Sequence, residues 1–259
     1  MKIAAHLHPQ HATYDEIRKA VVRVEDMGVD VVYNWDHFYP LYGDASGKHF
    51  EAWTMLASWA EITSEIQIGC LVTCNSYRNP NLLADMARTV DHIADGRLIF
   101  GIGSGWFEKD YDEYGYEFGT AGGRLDQLAE SLPIIRDRFE KLNPPPVGPM
   151  PILIGGGGER KTLRYTAQYA DIWHFWWNQR DPSIYQHKDS VLKEWCEKEG
   201  RDSEEILRSV GVDRDKDPIT PRLLDDLLAA GVGEVTLGFN GPDYDLSPLK
   251  SWIDWRDSL

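Results

Sequence analysis

The amino-acid sequence predicts an α/β fold in which eight strand–helix units close into a single (βα)8 barrel, also called a TIM barrel. Three observations lead to this prediction. Strand-like and helix-like segments alternate along the 259 residues, eight such pairs are present, and the strands are nearly continuous apolar runs. Such runs are typical of a parallel sheet that is buried on both faces. An open doubly wound sheet shares the alternation, but the count of eight favours the barrel.

The predicted strands are short apolar runs between polar or turn residues. They are KIAAHLH (2–8), VDVVYNWD (29–36), EIQIGCLVT (65–73), RLIFGIGSG (97–105), PILIG (151–155), DIWHFWW (171–177), ILRSVGVD (206–213) and EVTLGF (234–239). Helical segments are predicted at 14–27, 51–61, 79–93, up to 141, up to 169, and at 183–199, 220–230 and 247–257. The first of them ends at Gly28, a residue type that often terminates helices.

The proline-rich stretch NPPPVGPMP (143–151) is the strongest candidate for a domain boundary. A long connection between a helix and the fifth strand is the preferred interpretation, because the strand–helix alternation resumes directly after it. We therefore predict that residues 1–259 form one domain.

Composition and charge argue against several classes of protein. A net charge of −15 disfavours binding to nucleic acids and to anionic membranes. No apolar run approaches the roughly 18 residues that span a bilayer, and the N-terminus lacks the apolar core of a signal peptide. The three cysteines have no zinc-like spacing and suit reduced thiols, so we expect a cytoplasmic protein. Because the net charge is negative, any anionic ligand must be held by groups close to its binding site.

The chemistry of a TIM barrel collects at the C-terminal ends of its strands. Here these ends are rich in aromatic residues and glycine and poor in paired carboxylates. They comprise His6, His8, 35–37, 71–75, 103–107, 155–160, His174, Trp176 and Trp177. This profile predicts a flat ring bound at the barrel mouth, with a phosphate nearby.

Two glycine-rich turns follow predicted strands, GIGSG (101–105) and GGGG (155–158). Backbone N–H groups at the start of a helix bind phosphate without needing net positive charge. Tight packing between strand and helix also uses glycine, and both explanations stay open for the first turn. Because Arg160 and Lys161 follow the second turn, we predict phosphate binding there. Neither turn has the spacing of a Walker loop or a Rossmann fingerprint.

Histidines at two strand ends suggest two kinds of chemistry. His6 and His8 share one face of the first strand, which invites a metal site, but the later strands supply few further ligands; a packed histidine is the preferred interpretation of His6. Asp36 and His37 close the second strand. A histidine beside a carboxylate can donate a proton or orient a ligand.

Taken together, three blocks of sequence resemble the luciferase-like oxidoreductases, most closely the deazaflavin branch that uses coenzyme F-420. The blocks are NWDHF (34–38), LVTCNSYRNPNLLADMARTVDHIADGRLIFGIGSGW (71–106) and PILIGGGGERKTLRYTAQYADIW (151–173). The resemblance covers about residues 1 to 177. It implies a luciferase-like TIM barrel that binds a deazaflavin or flavin ring at its mouth, a small organic substrate, and a homodimer.

The resemblance also implies roles for individual residues. Asp36 and His37 are expected beside the ring as catalytic residues, with His37 as proton donor and Asp36 also in contact with the cofactor. A non-proline cis peptide bond is expected at or next to Cys70–Leu71, behind the ring. The remaining expected cofactor-binding residues are Cys70, Leu71, Val72, Thr73, Gly105, Trp106, Gly156, Gly157, Gly158, Glu159, Arg160 and Lys161.

The substrate pocket is expected to contain His8, Trp35 and Trp176. Five tryptophans are candidates for its wall, namely Trp35, Trp106, Trp173, Trp176 and Trp177, of which we expect at least two to serve only packing at the rim. Sugar-phosphate dehydrogenases of the family carry a catalytic glutamate just after the fourth-strand glycines. Here that place reads Gly105-Trp106-Phe107, which argues against a sugar-phosphate substrate.

The leading hypothesis is therefore an oxidoreductase that moves a hydride between coenzyme F-420 and a small organic substrate. The main alternative keeps the fold and uses reduced FMN and oxygen as a monooxygenase. A metal-dependent hydrolase and a barrel that only binds the cofactor are weaker alternatives. Metal analysis and the cofactor preference separate these hypotheses.

Overall fold

The computed structural model describes residues 1–213 and 220–259, and these contain nine strand segments that form one closed sheet. The segments are β1 (Lys2–His8), β2 (Val31–Asn34), β3 (Gln67–Cys70), β4 (Thr73–Cys74), β5 (Leu98–Gly103), β6 (Ile152–Gly155), β7 (Ile172–Trp176), β8 (Leu207–Val212) and β9 (Glu234–Asn240). Their order is β3-β2-β1-β9-β8-β7-β6-β5-β4, and β3 also pairs with β5. Every pairing between them is parallel. Since β3 and β4 are parts of one barrel strand, the predicted eight-stranded parallel barrel is confirmed.

Helices follow the barrel strands. They are α1 (Tyr14–Asp26), α2 (Ala52–Ile62), α3 (Pro80–Ile93), α4 (Glu108–Tyr114), α5 (Ala121–Lys141), α6 (Thr162–Tyr169), α7 (Ser183–Glu199), α8 (Pro221–Ala229) and α9 (Ser247–Asp257). Short 3-10 helices occupy Asn75–Tyr77 and Ser203–Glu205. The helical material predicted to reach Lys141 is divided between α4 and α5.

Helix starts are set by side chains that bind the first free N–H groups. Thr13 and Glu16 form a reciprocal capping box at the start of α1, and Asn79 accepts hydrogen bonds from the first turn of α3. Glu51 caps α2 in the same way, accepting from the N–H groups of Trp53 and Thr54. This last cap matters for the site, because the same carboxylate also binds an arginine below the barrel mouth.

The interior of the barrel is mostly apolar. Its main cluster consists of Ala4, Val31, Tyr33, Ile99, Leu153 and Ile172, with Leu71, Val72 and Leu207 packed against it. A separate and larger apolar cluster joins outward-facing strand residues to the helices. Because the interior is filled with side chains, a ligand can reach the barrel only at its mouth.

The third barrel strand is interrupted between Cys70 and Thr73. The peptide bond Leu71–Val72 is cis, next to the Cys70–Leu71 position named from the sequence. Gly101 of β5 lies directly against the carbonyl oxygen of Cys70, and any Cβ at residue 101 would overlap that oxygen. The first glycine of GIGSG therefore serves close packing between strands.

The observed strands are shorter at their C-terminal ends than several of the predicted ones. The second was predicted to reach Asp36 but ends at Asn34, and the fourth was predicted to reach Gly105 but ends at Gly103. Asp36, His37 and Gly105 consequently lie in the loops above the barrel. In these loops side chains rather than strand pairing determine their positions.

We expect Gly101→Ala to destabilise the protein by about 1–3 kcal/mol, because the added methyl group overpacks the contact with Cys70. Urea denaturation would measure the change. Gly122→Ala is the matched control: it lies in α5, where an added methyl group meets only Thr120 Oγ1 at 3.9 Å. Equal stability of the two variants would contradict the proposed contact.

Candidate active site at the barrel mouth

A cavity of about 1060 Å³ opens at the C-terminal end of the barrel. Every barrel strand or the loop after it contributes to its wall. The lining residues are His6, His8, Trp35, Asp36, His37, Leu41, Tyr42, Leu71, Val72, Thr73, Cys74, Tyr77, Gly105, Trp106, Gly155, Gly156, His174, Phe175, Trp176, Val212, Asp213, Gly238, Asn240 and Asp245. The cavity is large enough for a tricyclic ring and a small second molecule.

His37 is held by a buried carboxylate. Its Nδ1 lies 2.7 Å from Oδ2 of Asp110, a fully buried residue. Oδ2 also accepts a hydrogen bond from the Tyr77 hydroxyl, and Oδ1 accepts one from the Phe38 N–H, each at 3.1 Å. Because a carboxylate accepts, Nδ1 of His37 carries the proton. Nε2 is then the nitrogen available to a ligand in the cavity.

Asp36 lines the cavity, but both of its carboxylate oxygens are engaged by Arg78. Nη1 and Nη2 of Arg78 lie 2.6 Å and 2.9 Å from them, and the Cys74 N–H donates to Oδ2 at 3.0 Å. Arg78 also binds Glu51 at 2.6 Å. Burial lowers the pKa of Arg78, but the two carboxylates outweigh it and the net shift is upward. The geometry makes Asp36 a brace between two loops.

The turn after β6 presents backbone donors. The Gly156 N–H donates to the His174 carbonyl, whereas the N–H groups of residues 157 to 160 make no hydrogen bond within the described part of the chain. Gly156 has a φ of +122°, and a Cβ at Gly157 would overlap the ring of Phe175. The glycines are thus required by backbone conformation and by packing. They leave several N–H groups free at the start of α6.

The charged residues of this turn differ in their surroundings. Lys161 binds Asp126 at 2.5 Å, and Glu159 binds Lys188 at 2.6 Å and His187 at 3.0 Å. Arg160 is exposed and makes no ion pair with any residue that the structure describes. Of the side chains that follow the glycines, Arg160 is therefore the one positioned to meet an incoming anion.

The interrupted third strand forms the back wall of the cavity. Leu71, Val72 and Thr73 line it, and Thr73 Oγ1 is buried without a hydrogen-bond partner among the described residues. Cys70 lies behind them, buried in the outer apolar cluster, and does not line the cavity.

His8 and Trp35 form an aromatic wall. Their rings stack at 4.3 Å, and His8 Nδ1 lies 2.8 Å from Asn240 Oδ1. The Tyr42 hydroxyl bonds both His8 and Asn240. These contacts hold the ring of His8 against the tryptophan and leave its other face to the cavity.

Three of the five candidate tryptophans line the cavity. Trp106 and Trp176 stand at its rim with 63% and 60% of their surface exposed, and Trp35 is buried in the wall. Trp173 and Trp177 are buried outside the barrel, where Trp173 stacks on Tyr185 at 5.6 Å. These two tryptophans therefore serve packing, in the outer apolar cluster and not at the rim of the cavity.

Two of the cavity histidines, His6 and His174, are buried, and His8 in the wall is half-buried. Burial lowers the pKa of His174 to about 3 and that of His8 to about 4. Burial also holds the pKa of His6 well below its ordinary value, with His8 and His174 adding to the effect. Among the described residues, no group of three or more His, Cys, Asp or Glu side chains is arranged to hold a metal ion.

Several residues that shape the site escaped sequence analysis. Four side chains from distant parts of the chain support the cavity, either in its lining or through hydrogen bonds that position the lining residues. They are Asp110, Arg78, Glu51 and Asn240. Asp110 lies 73 positions from His37, so no local spacing marks the pair. The sequence offered one signal for Asp110, because it is a carboxylate in the first turn of the helix that follows a strand end.

Comparison with known proteins identifies the family. The family model described as luciferase-like monooxygenase matches residues 1–213. The chain belongs to this family. Pyrimidine monooxygenase RutA of Methylobacterium radiotolerans is 28% identical over 195 residues, which cover 63% of this chain and 48% of that protein. The F-420-dependent glucose-6-phosphate dehydrogenase of Amycolatopsis mediterranei is 31% identical over 154 residues, 53% of this chain and 46% of the relative. The chain spans about half the length of these curated relatives.

Two solved structures share the fold of this chain. An F-420-dependent secondary alcohol dehydrogenase, solved with an F-420–acetone adduct, has a TM-score of 0.84 at 17% identity, covering 98% of this chain and 97% of its own. The monooxygenase RslO1 of Streptomyces bottropensis has a TM-score of 0.74 at 14% identity, covering 99% and 98%. The proteins similar to this chain thus include enzymes named as F-420-dependent dehydrogenases and enzymes named as monooxygenases. A separate finding is that no helix in the described residues has the length and apolarity to span a bilayer.

We expect Arg78→Met to destabilise the protein by about 3–5 kcal/mol, because it leaves the carboxylate of Asp36 buried without its cation. Urea denaturation would measure the loss, and adding Asp36→Asn should restore part of it. Lys141→Met, which breaks the exposed pair with Asp137, is the control and should change stability by less than about 1 kcal/mol. A similarly small effect of Arg78→Met would show that the pair does not brace the loops.

Acid should destabilise the protein before its carboxylates titrate. The pKa values of His8 and His174 are lowered in the folded state, so both residues take up protons below pH 6.5 in the unfolded chain, whereas in the folded protein His8 stays neutral to about pH 4 and His174 to about pH 3. Stability is therefore lost as the pH falls, by about 1.4 kcal/mol per pH unit for each such histidine. Denaturation midpoints between pH 7 and pH 5 would measure the slope. His174→Gln should reduce the slope of stability against pH by the contribution of one histidine. An unchanged slope would contradict the lowered pKa of His174.

Proposed function

We propose that this protein transfers a hydride between coenzyme F-420 and a small organic substrate. One observation carries the proposal: a single cavity extends from a histidine oriented by a buried carboxylate to Gly155 and Gly156, and the residues directly after these glycines, 157 to 160, have N–H groups without partners among the described residues. The first suits proton transfer beside a redox ring, and the second suits a phosphate on the tail of the cofactor.

The residues present fit such a cofactor. Thr73 Oγ1 and the N–H groups of residues 157 to 160 lack partners among the described residues, so they offer hydrogen bonds that folding alone leaves unused. The residues that would hold the phosphate are Gly157, Gly158, Glu159 and Arg160, through their N–H groups and the Arg160 guanidinium. Leu71, Val72 and Thr73 would support the ring. When bound, the deazaflavin supplies the site that accepts or gives the hydride.

The protein's own part is to orient and to move protons. Asp110 keeps the proton of His37 on Nδ1, so Nε2 can accept a hydrogen bond or a proton from a group in the cavity. Trp35, Trp106 and Trp176 provide apolar surface that excludes water from the ring. Glu108 begins α4 and does not line the cavity, in keeping with a substrate other than a sugar phosphate.

Support for coenzyme F-420 comes from the relatives. A dehydrogenase named for this coenzyme is 31% identical over its matched segment, and the alcohol dehydrogenase has a TM-score of 0.84 against 0.74 for RslO1. The second candidate is a monooxygenase that uses reduced FMN and oxygen. The similarity to pyrimidine monooxygenase RutA favours it, and FMN also carries a phosphate that the glycine turn could bind.

Titration of the purified protein with oxidised F-420 and separately with FMN, followed by quenching of tryptophan fluorescence, tests the proposal. We expect tighter binding of F-420. Gly157→Ala should weaken binding about tenfold or more, because the methyl group would displace the turn from Phe175 and cost at least one hydrogen bond to phosphate.

Gly122→Ala is the control and should bind like the unchanged protein. Preference for FMN would replace the proposal with the monooxygenase. Failure to bind either cofactor would overturn both.

A further inference from the structure

Three polar side chains lie side by side inside a barrel that is otherwise mostly apolar. His174 of β7 is in register with Ser209 of β8, and Ser209 is in register with Glu234 of β9. His174 lines the cavity, whereas Ser209 and Glu234 are fully buried below it. The row runs from the cavity floor towards the N-terminal end of the barrel, because Glu234 is the first residue of its strand.

Hydrogen bonds connect the row without a gap. His174 Nδ1 lies 2.8 Å from Ser209 Oγ, and Ser209 Oγ lies 2.8 Å from Glu234 Oε1. The Tyr33 hydroxyl donates to the same Oε1 at 3.1 Å. The second oxygen of Glu234 is buried and has no hydrogen-bond partner among the described residues.

The direction of these bonds determines the state of His174. The Ser209 hydroxyl donates to Glu234, so its oxygen is free to accept from His174, and the imidazole proton therefore resides on Nδ1. Nε2 is left as a hydrogen-bond acceptor in the cavity. A ligand with an O–H group could donate a hydrogen bond to this Nε2.

Burial also sets where a proton is stable along the row. It raises the pKa of the Glu234 carboxyl, although hydrogen bonds from Ser209 and Tyr33 and the nearby charge of Lys2 oppose the shift. Burial lowers the pKa of His174 to about 3. A proton that arrives at His174 is thus unfavourable as a standing imidazolium and is better placed on the carboxylate.

We propose that His174, Ser209 and Glu234 form a proton relay that receives the hydroxyl proton of an alcohol substrate as its carbon gives up a hydride. The inference rests on the proposed function. The C–H bond breaks and its hydrogen leaves with both electrons to the oxidised deazaflavin. The O–H proton passes to His174 Nε2, the Nδ1 proton to Ser209, and the Ser209 proton to Glu234. The products are a carbonyl compound, reduced cofactor and a neutral Glu234, with His174 as its Nε2–H tautomer.

The relay assigns separate roles to its members. His174 would touch the substrate and is the catalytic residue, while Ser209 and Glu234 are positioning residues that act through it. His6 adds to the same floor, since its Nε2 is buried and has no partner among the described residues. His174 in the floor of the cavity and His37 in its wall then offer two sites at which a proton can be transferred.

The first test needs no cofactor. Side-chain ¹H–¹⁵N spectra of the ¹⁵N-labelled protein at pH 7, with His174 assigned from His174→Gln, should show a neutral ring protonated on Nδ1. Ser209→Ala should abolish this pattern, because it removes the acceptor. Glu234→Gln should preserve it, because the amide oxygen still accepts from Ser209. A ring protonated on Nε2, or a pattern unchanged by Ser209→Ala, would overturn the relay.

The second test measures oxidation of 2-propanol, 2-butanol and cyclohexanol by the F-420-loaded protein. Glu234→Gln and Ser209→Ala should each lower kcat about 100-fold or more with little change in KM, as expected for loss of acid–base catalysis, and Ser209→Thr should recover much of the rate. Glu234→Gln is the diagnostic variant, because it keeps the tautomer and loses the proton acceptor.

An unchanged kcat in Glu234→Gln would overturn the relay. No turnover of these alcohols by the unchanged protein would overturn the substrate class. Failure of F-420 to bind in the fluorescence titration would instead reject the proposed function, and the tautomer measurement would remain valid on its own.

Discussion

The site depends on how the third barrel strand is held across its interruption. β3 pairs with β2 and β5, but β4 pairs only with β5, so strand pairing alone leaves one side of the second segment unsupported. The missing support comes from Asp36, which accepts from the Cys74 N–H and binds Arg78 with both oxygens. Arg78 extends the connection to Glu51 at the start of α2. One ion-pair group therefore holds the back wall of the cavity and the loop that carries His37.

The glycine turn after β6 explains how an acidic chain could hold an anion. The overall charge is −15, and the ionic side chains nearest the glycine turn are largely neutralised by each other, as with Lys161 and Asp126. What remains is a set of N–H groups, those of residues 157 to 160, that have no partner in the described part of the chain, with the Arg160 side chain beside them. Backbone dipoles attract phosphate at short range without attracting anions to the rest of the surface.

The sequence predicted the features that arise from local pattern. The apolar strand runs gave the closed barrel, and GGGG followed by a charged helix start identified the turn after the strand at 152–155. Strand ends also led to His8, Trp35, His37 and Trp176, all of which line the cavity. The partners of the strand-end residues could not be predicted, because Asp110 meets His37 and Arg78 meets Asp36 only when distant loops pack together. Similarly, the residues of the relay are separated by 35 and 25 positions, and only the register of three strands makes them neighbours.

Glu234 is the residue that folding alone least explains. A carboxylate inside a barrel packed with Ala4, Val31, Ile99 and Leu153 loses its hydration, and an apolar side chain of similar size would commonly stabilise the fold. Its hydrogen bonds satisfy one oxygen, and the other has no partner in the part of the chain that the structure describes. A buried group that opposes stability yet connects through Ser209 to a cavity histidine is more readily understood as part of the chemistry. Oxidation of an alcohol needs such a group, because a hydride can leave carbon only if the hydroxyl proton has somewhere to go.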